Sequence, residues 1–398
     1  MGSPRVKDPR GRGGASRGET GRVRQAARLG AVVNDLRRDA RTEACDSWDA
    51  RRNCPLRRLS PPLILQGQLR TAADGGRAAD VEALLDAAPH LEMLQAADVK
   101  ASLDVAVRLL RHNAPVAAVV QLSKLCVSFS RLAQDHTGVA ETLQLAAAMS
   151  QQQSLNELVA FALPLQFSVA SDALLAAAVA CQLRSLMFRD CCLSSDSVPG
   201  LARAVRDLHH LEELIIINNE TALFVDAPAA AGELAAAIHG SHRLTHLALN
   251  GVALWNDADA AAVILRALIG HASVECIDLG LNDALDDEAA AAAGALLYAL
   301  VAADAASLTY LNVHFSYLTD DGLAPLFAAL PQNSHLLYMS CCNTGMSEEF
   351  ARDALLPAVR ANTSLRELEV ARSWGDDEDG VPPPEVLEAE ALVAARGQ

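Results

Sequence analysis

Aromatic residues make up only 4% of this 398-residue chain, against 51% hydrophobic residues overall. The apolar interior must therefore rest on Leu, Val and Ala, which suit thin stacked layers better than a bulky globular centre. Lysine is almost missing: three of the 33 cationic side chains are Lys7, Lys100 and Lys124, and the rest are arginine. With the many alanines, that bias reads as coding preference rather than design. The nine cysteines contain no CxxC pair and have no histidine partner at zinc spacing, which excludes a structural zinc site and the framework of a small secreted domain. HExxH, GxSxG, a phosphate loop and paired catalytic carboxylates are absent as well, so no catalytic residue, metal or cofactor is expected. No apolar signal core opens the sequence. The longest apolar run, "AAAAAGALLYALVAA" at 289–303, is too short and alanine-rich to span a bilayer. The expected setting is a reducing, cytoplasmic one, away from membranes.

Charge is present but divided. Residues 1–60 carry 15 Lys/Arg against 7 Asp/Glu, a balance of +8, and the remainder carries 18 against 42, a balance of −24. Sequence-independent nucleic-acid binding needs a cationic surface to displace counterions, so an acidic body argues against it. The basic stretch 1–61 is rich in Gly and Arg, nearly free of leucine, and reads as disordered. Asp8, Glu19, Asp35 and Asp39 weigh against an organelle transit peptide.

The segment "LTYLNVHFSYLTDDGL" (308–323) recurs. Counting Leu308 as position 1, apolar residues stand at positions 1, 4, 6 and 11: Leu308, Leu311, Val313 and Leu318. Frames starting at Leu122, Leu155, Leu183, Leu244 and Leu336 repeat all four, and those at Leu211, Val274 and Leu365 keep the first three. Successive starts are 33, 28, 28, 33, 30, 34, 28 and 29 residues apart. LxxLxL is the period-2 pattern of a short strand, and helical patterns such as "LARAVRDL" (201–208) follow in each frame. Neither element can bury its apolar side alone, but stacked copies can.

These leucines, together with "LTDDGL" at 318–323, resemble the leucine-rich repeat family and its long ribonuclease-inhibitor-type subclass. The resemblance covers roughly 120–375. It implies an α/β solenoid, or horseshoe, with a parallel concave sheet and convex helices. Its position 9, usually Asn or Cys, holds Asn219, Asn282 and Cys191 here but other residues elsewhere, so the internal side-chain ladder is expected to be partial and irregular near Leu163 and Val252. The division expected is a leader at 1–61, a helical cap or degenerate repeat at 62–120, repeats at 121–375 and an acidic tail with a terminal helix at 376–398. Leu91 and Leu94 could open the degenerate repeat, and a few armadillo-like helices are the alternative for 62–120.

Position 14 is acidic in seven of nine frames, including Asp196, Asp257, Asp287, Asp321 and Glu349, where helix capping is the simplest role. Stacked, these acids would also form a stripe attractive to a basic partner. Positions 3, 5 and 7 project from the concave face and are not required to be apolar. Read along the frames, they offer Met187, Arg189, Ile215, Ile217, His246, Asp278, Tyr310, Asn312, His314 and Tyr338 as candidate partner-binding residues. The function expected is non-enzymatic protein binding on that face, with the partner basic or a small GTPase. Ran GTPase-activating proteins look similar, with such repeats ahead of an acidic tail, and make GTPase regulation the alternative. A fragment of an innate-immune-type receptor is a third.

Overall fold

The structure, a computed structural model, describes residues 93–95, 107, 124–128, 136–152, 155–217, 222–224, 227–371 and 381–397. The leader at 1–61 and most of 62–120 lie outside the described residues, as do Asn219 and the acids at 376–379.

One parallel sheet of ten strands runs through the described part, each strand beside its neighbours in sequence. The strands are β1 (Met93–Gln95), β2 (Lys124–Ser128), β3 (Glu157–Phe161), β4 (Ser185–Arg189), β5 (Glu213–Ile217), β6 (His246–Asn250), β7 (Cys276–Asp278), β8 (Tyr310–Asn312), β9 (Tyr338–Ser340) and β10 (Glu367–Glu369). In all nine frames the strand begins at position 3, and position 3 pairs with position 3, as in Lys124 with Glu157 and Tyr310 with Tyr338. A slip of one residue would turn each leucine from the core to the open face, so burial of positions 4 and 6 fixes the register. β1 joins the same ladder, with Leu94 opposite Leu125.

Between strands the chain returns through helices: α1 (His136–Met149), α2 (Ser168–Cys181), α3 (Val198–Asp207), α4 (Pro228–His239), α5 (Ala258–Leu268), α6 (Asp287–Ala302) and α7 (Thr319–Ala329). The next return is α8 (Glu348–Phe350), a π turn at Ala351–Leu355, and α9 (Leu356–Ala361). Pro357 has no N–H and would press on the carbonyl four residues back, and the wide turn just before it relieves that clash. Leu308, Leu311, Val313 and Leu318 are all buried, and one continuous core joins them to the inner faces of the helices. This is an α/β repeat solenoid, with an open parallel sheet on one side and helices on the other.

The segment expected to be a tail holds α10 (Pro384–Arg396), packed on the last repeat. Val386, Ala389 and Val393 are buried. Glu390 Oε1 accepts the N–H groups of Val370 and Ala371, both at 2.7 Å, and Arg396 donates to the Val359 carbonyl at 2.8 Å. The open end of the core beside the final strand is thus covered by a helix rather than by solvent.

The capping role is shared between position 14 and its neighbours, as expected of residues such as Ser347. Asp257 does cap α5, accepting from the Ala260 N–H at 2.9 Å. In α6 and α8 the cap is one or two positions earlier, at Asp286 and Ser347, and Asp287 and Glu349 sit inside the first turn. There they still oppose the positive end of the helix.

Position 9 forms a partial ladder. Buried Asn282 donates to the carbonyls of Leu249 and Leu279 at 2.7 and 2.8 Å, and its Oδ1 accepts from Val252 and Leu254, each at 3.0 Å. It therefore supplies from its own repeat what Val252 lacks in the preceding one. Ser316 and Thr344 reach only carbonyls. Position 8 adopts a left-handed backbone in every described frame: Ala162, Asp190, Gly251, Leu281, Phe315 and Asn343. The sharp exit from each strand demands it, although only Gly251, Asn343 and Asp190 are residue types that favour that region.

A second ladder lies three residues before the frame. Asn333 donates to the Val301 carbonyl at 2.9 Å and accepts from Leu336 N–H at 2.8 Å, and Asn362 does the same with Leu330 and Leu365. His271 holds the equivalent place: Nε2 lies 3.1 Å from the Ile238 carbonyl, and Nδ1 accepts from Ser273 and Val274 at 3.3 Å. This pattern requires the neutral imidazole, protonated on Nε2. Burial lowers the His271 pKa below the usual 6.5, with His239 and His242 adding to the effect and the Ile238 bond opposing it. A depressed histidine contributes stability that is whole above its unfolded value and is lost as pH falls through the folded value. His271→Asn keeps one donor and one acceptor without titrating. The fall in melting temperature between about pH 7.5 and about pH 5 should therefore be smaller in His271→Asn than in the wild type. An unchanged difference would remove His271 from the acid response.

Candidate protein-binding face

The open face of the sheet carries positions 3, 5 and 7, as the period-2 pattern requires. Its exposure differs from expectation. Met187, Ile215, Ile217, Asp278, Asn312, His314 and Tyr338 are buried, and only Arg189, His246 and Tyr310 are partly exposed. A strand side chain has in-register neighbours roughly 4.8 Å away on both sides, so Ile215 is flanked by Met187 and Ala248. The contiguous exposed apolar patch expected from Met187, Ile215 and Ile217 is therefore not there.

Several of the buried candidates hold one another. Tyr310 and Tyr338 stack with ring centres 4.2 Å apart and planes within 4° of parallel. The Tyr338 hydroxyl donates to Glu369 Oε2 at 2.5 Å. On β7 and β8, Asp278 and Asn312 each accept from the backbone N–H two residues on, at Gly280 and His314. His314 Nδ1 lies 2.7 Å from Asn312 Oδ1 and so donates to it. The His314 ring occupies the space where a Cβ on residue 280 would stand, 2.4 Å from Cε1, so glycine there is a packing requirement. Arg189 places its guanidinium 5.8 Å from the Phe161 ring centre and 3.9 Å from Asp190 Oδ2.

What remains accessible is the row at the start of the strands, positions 2 and 3. Glu157, Glu212, Glu213, His246, Tyr310 and Glu367 are part or fully exposed there, and Glu275 is exposed beside them. The row is acidic. Of its cations, Lys124 is the strand partner of Glu157, Arg184 pairs with Glu212 at 3.3 Å, and Arg366 is turned onto the carbonyls of Thr363, Ser364 and Leu365 at 2.8, 2.7 and 3.1 Å. Ser185 donates to Glu213 Oε2 at 2.7 Å, fixing that carboxylate's direction. Selection by exposed aromatic character missed Glu157, Glu213 and Glu367, although the signal was legible as an acid at position 3 in three frames.

Three of the cysteines are buried away from this face. Cys191 takes the position-9 slot, donates to the Ala160 and Arg189 carbonyls, and burial pushes its thiol up to about 12. Cys181 is pushed up to about 11 and Cys341 well above the ordinary range, also by burial. Such thiols stay protonated and inert. Among the described residues no cluster of His, Cys, Asp and Glu could hold a metal ion, and no helix is long and apolar enough to cross a membrane.

No protein-family model matches the chain, and no curated protein does. Among solved structures, the chain is similar to one described as the crystal structure of the Rad7 and Elc1 complex in yeast. The identity is 12%, over 85% of this chain and 96% of that one, with a TM-score of 0.24.

Proposed function

We propose that this protein is a non-enzymatic interaction module that holds a partner protein against the strand-start row of its sheet, and that the partner's contact surface is basic. The observation that carries the reading is the row itself. Stacking in register sets Glu157, Glu212, Glu213, Glu275 and Glu367 along one edge while the sheet centre is buried. Like charges aligned in this way cost the fold self-repulsion, which a cationic partner would offset, and the same field speeds its approach. Tyr310 adds a part-exposed ring, a favoured kind of anchor. The strand–helix alternation, with helices of 10 to 16 residues from α1 to α7, is also what a ribonuclease-inhibitor-type repeat would supply.

The test uses a Glu213→Lys/Tyr310→Ala/Glu367→Lys variant whose circular dichroism and melting match the wild type within a few degrees. Affinity capture from a cell lysate should yield a protein retained by wild type and lost by the variant, with retention falling as salt rises. The same proteins on both baits would overturn the reading. If the captured protein is a small GTPase whose hydrolysis rises with catalytic amounts of this chain, the non-enzymatic part is wrong and the regulatory alternative holds.

A further inference from the structure

Where α3 and α4 end and the chain turns into β5 and β6 lies a groove of about 850 Å³. Its apolar lining is offered by exposed Ala236, set over Ala237, Val205 and Leu208, which are themselves buried. Its rim carries three cations, Arg203, Arg206 and Arg243, with His209 and His242 beside them. The contrast with the rest of the body is large. Residues 61–398 carry 18 Lys/Arg against 42 Asp/Glu, yet three of those 18 cations line this one groove, facing a single carboxylate, Glu233.

Their presence has a partial local explanation. Arg206 lies in the last turn of α3, where a cation complements the negative helix end. Arg203 makes one exposed contact with Asp172 at 3.3 Å, too solvated to fix it. Arg243, His209 and His242 lie beyond the helix ends, and neither reason reaches them. Arg206 and Arg243 are exposed and form no ion pair among the described residues.

We infer that this groove binds an acidic, amphipathic peptide segment of a partner protein, with carboxylates on the Arg206 and Arg243 rim and an apolar side chain against Ala236 and Ala237. The volume lies within the range of about 300–1,000 Å³ usual for ligand clefts. Charge complementarity selects the occupant. A nucleic acid would carry its phosphates past Glu212, Glu213 and Glu275 at the adjoining strand starts and would leave the apolar lining unused, whereas a short peptide offers both characters within the groove. The groove adjoins the strand-start row, with His209 and Arg243 each three residues before a member of it, but the inference rests on the groove's own lining and not on that row.

The test uses the whole chain, immobilised, and three pools of short synthetic peptides: Glu/Asp/Leu/Phe, Glu/Asp/Ser/Thr and Ser/Thr/Leu/Phe. The first pool should be enriched over both others, with affinity reduced about tenfold or more by Arg206→Glu/Arg243→Glu. Arg266→Glu/Arg352→Glu makes the same change in net charge at exposed positions outside the groove and should bind as wild type does. Equal retention of the three pools would overturn the inference. So would equal loss in both variants, or enrichment of the Glu/Asp/Ser/Thr pool together with full displacement by inorganic phosphate, which would mark a plain anion site.

Discussion

Leu311→Asp should unfold the centre of the solenoid, whereas Tyr310→Asp, one residue earlier, should leave it standing. Leu311 is fully buried on β8, between Ile277 and Met339 in adjacent strands. An aspartate there would have apolar neighbours on both sides. An unpaired buried carboxylate cannot remain charged without a cost of several kcal/mol, and even protonated it forfeits the packing of a leucine. The sum, about 4 kcal/mol or more, is a large share of the roughly 5–15 kcal/mol that holds a domain together. Tyr310 stands on the other side of the same strand and is half-buried. Its replacement forfeits the stack on Tyr338, about 1 kcal/mol, plus part of the ring's burial. Thermal melts of the two variants read the register directly. A Leu311→Asp protein melting like the wild type would place Leu311 on the open face and shift the frame by one residue.

That register was legible in the sequence because it follows from one rule repeated nine times. Positions 1, 4 and 6 must be apolar for a thin strand to bury one side, and no other phase of the chain meets that demand in every frame. The hydrogen-bonded ladders were harder to see. Asn282 stands at a position where such a residue is expected, but the role of His271, Asn333 and Asn362 appears only when the preceding helix end is in place to offer its carbonyl. The pairs "NSHL" and "NTSL", each with Asn three residues before the leucine, were the available signal. Exposure of the candidate face was the least legible feature. Alternation tells which way a side chain points, not how closely neighbouring strands crowd it, so Ile215 and Tyr338 point outward and are nonetheless buried. The accessible row depends on where each strand starts relative to the helices behind it. That is a property of the stack and of no single frame.

The helix side carries a demand that composition alone inverts. Gly294 in α6 and Gly322 in α7 are interior helical glycines, and in an ordinary helix each would be improved by alanine, by up to about 1 kcal/mol. Here the two helices meet backbone to backbone. A Cβ on residue 294 would stand 2.3 Å from the Gly322 carbonyl oxygen and 2.8 Å from its Cα. A Cβ on residue 322 would stand 2.6 Å from the carbonyl oxygen of Ala290. Backbone cannot rotate aside as a side chain can, so the helices must separate. Separation loosens the buried leucines around the contact, Leu297 and Leu326 among them. Gly294→Ala should thus destabilise by about 1–3 kcal/mol net, opposite in sign to its helix propensity. Gly232 in α4 supplies the comparison, since a Cβ there meets nothing within 4 Å. Gly232→Ala should raise stability by roughly 0.5–1 kcal/mol. Chemical denaturation of the two variants beside the wild type measures both signs at once. If Gly294→Ala stabilised as Gly232→Ala does, α6 and α7 would not pack this closely, and the tight step between these two repeats would have to be set by the sheet alone.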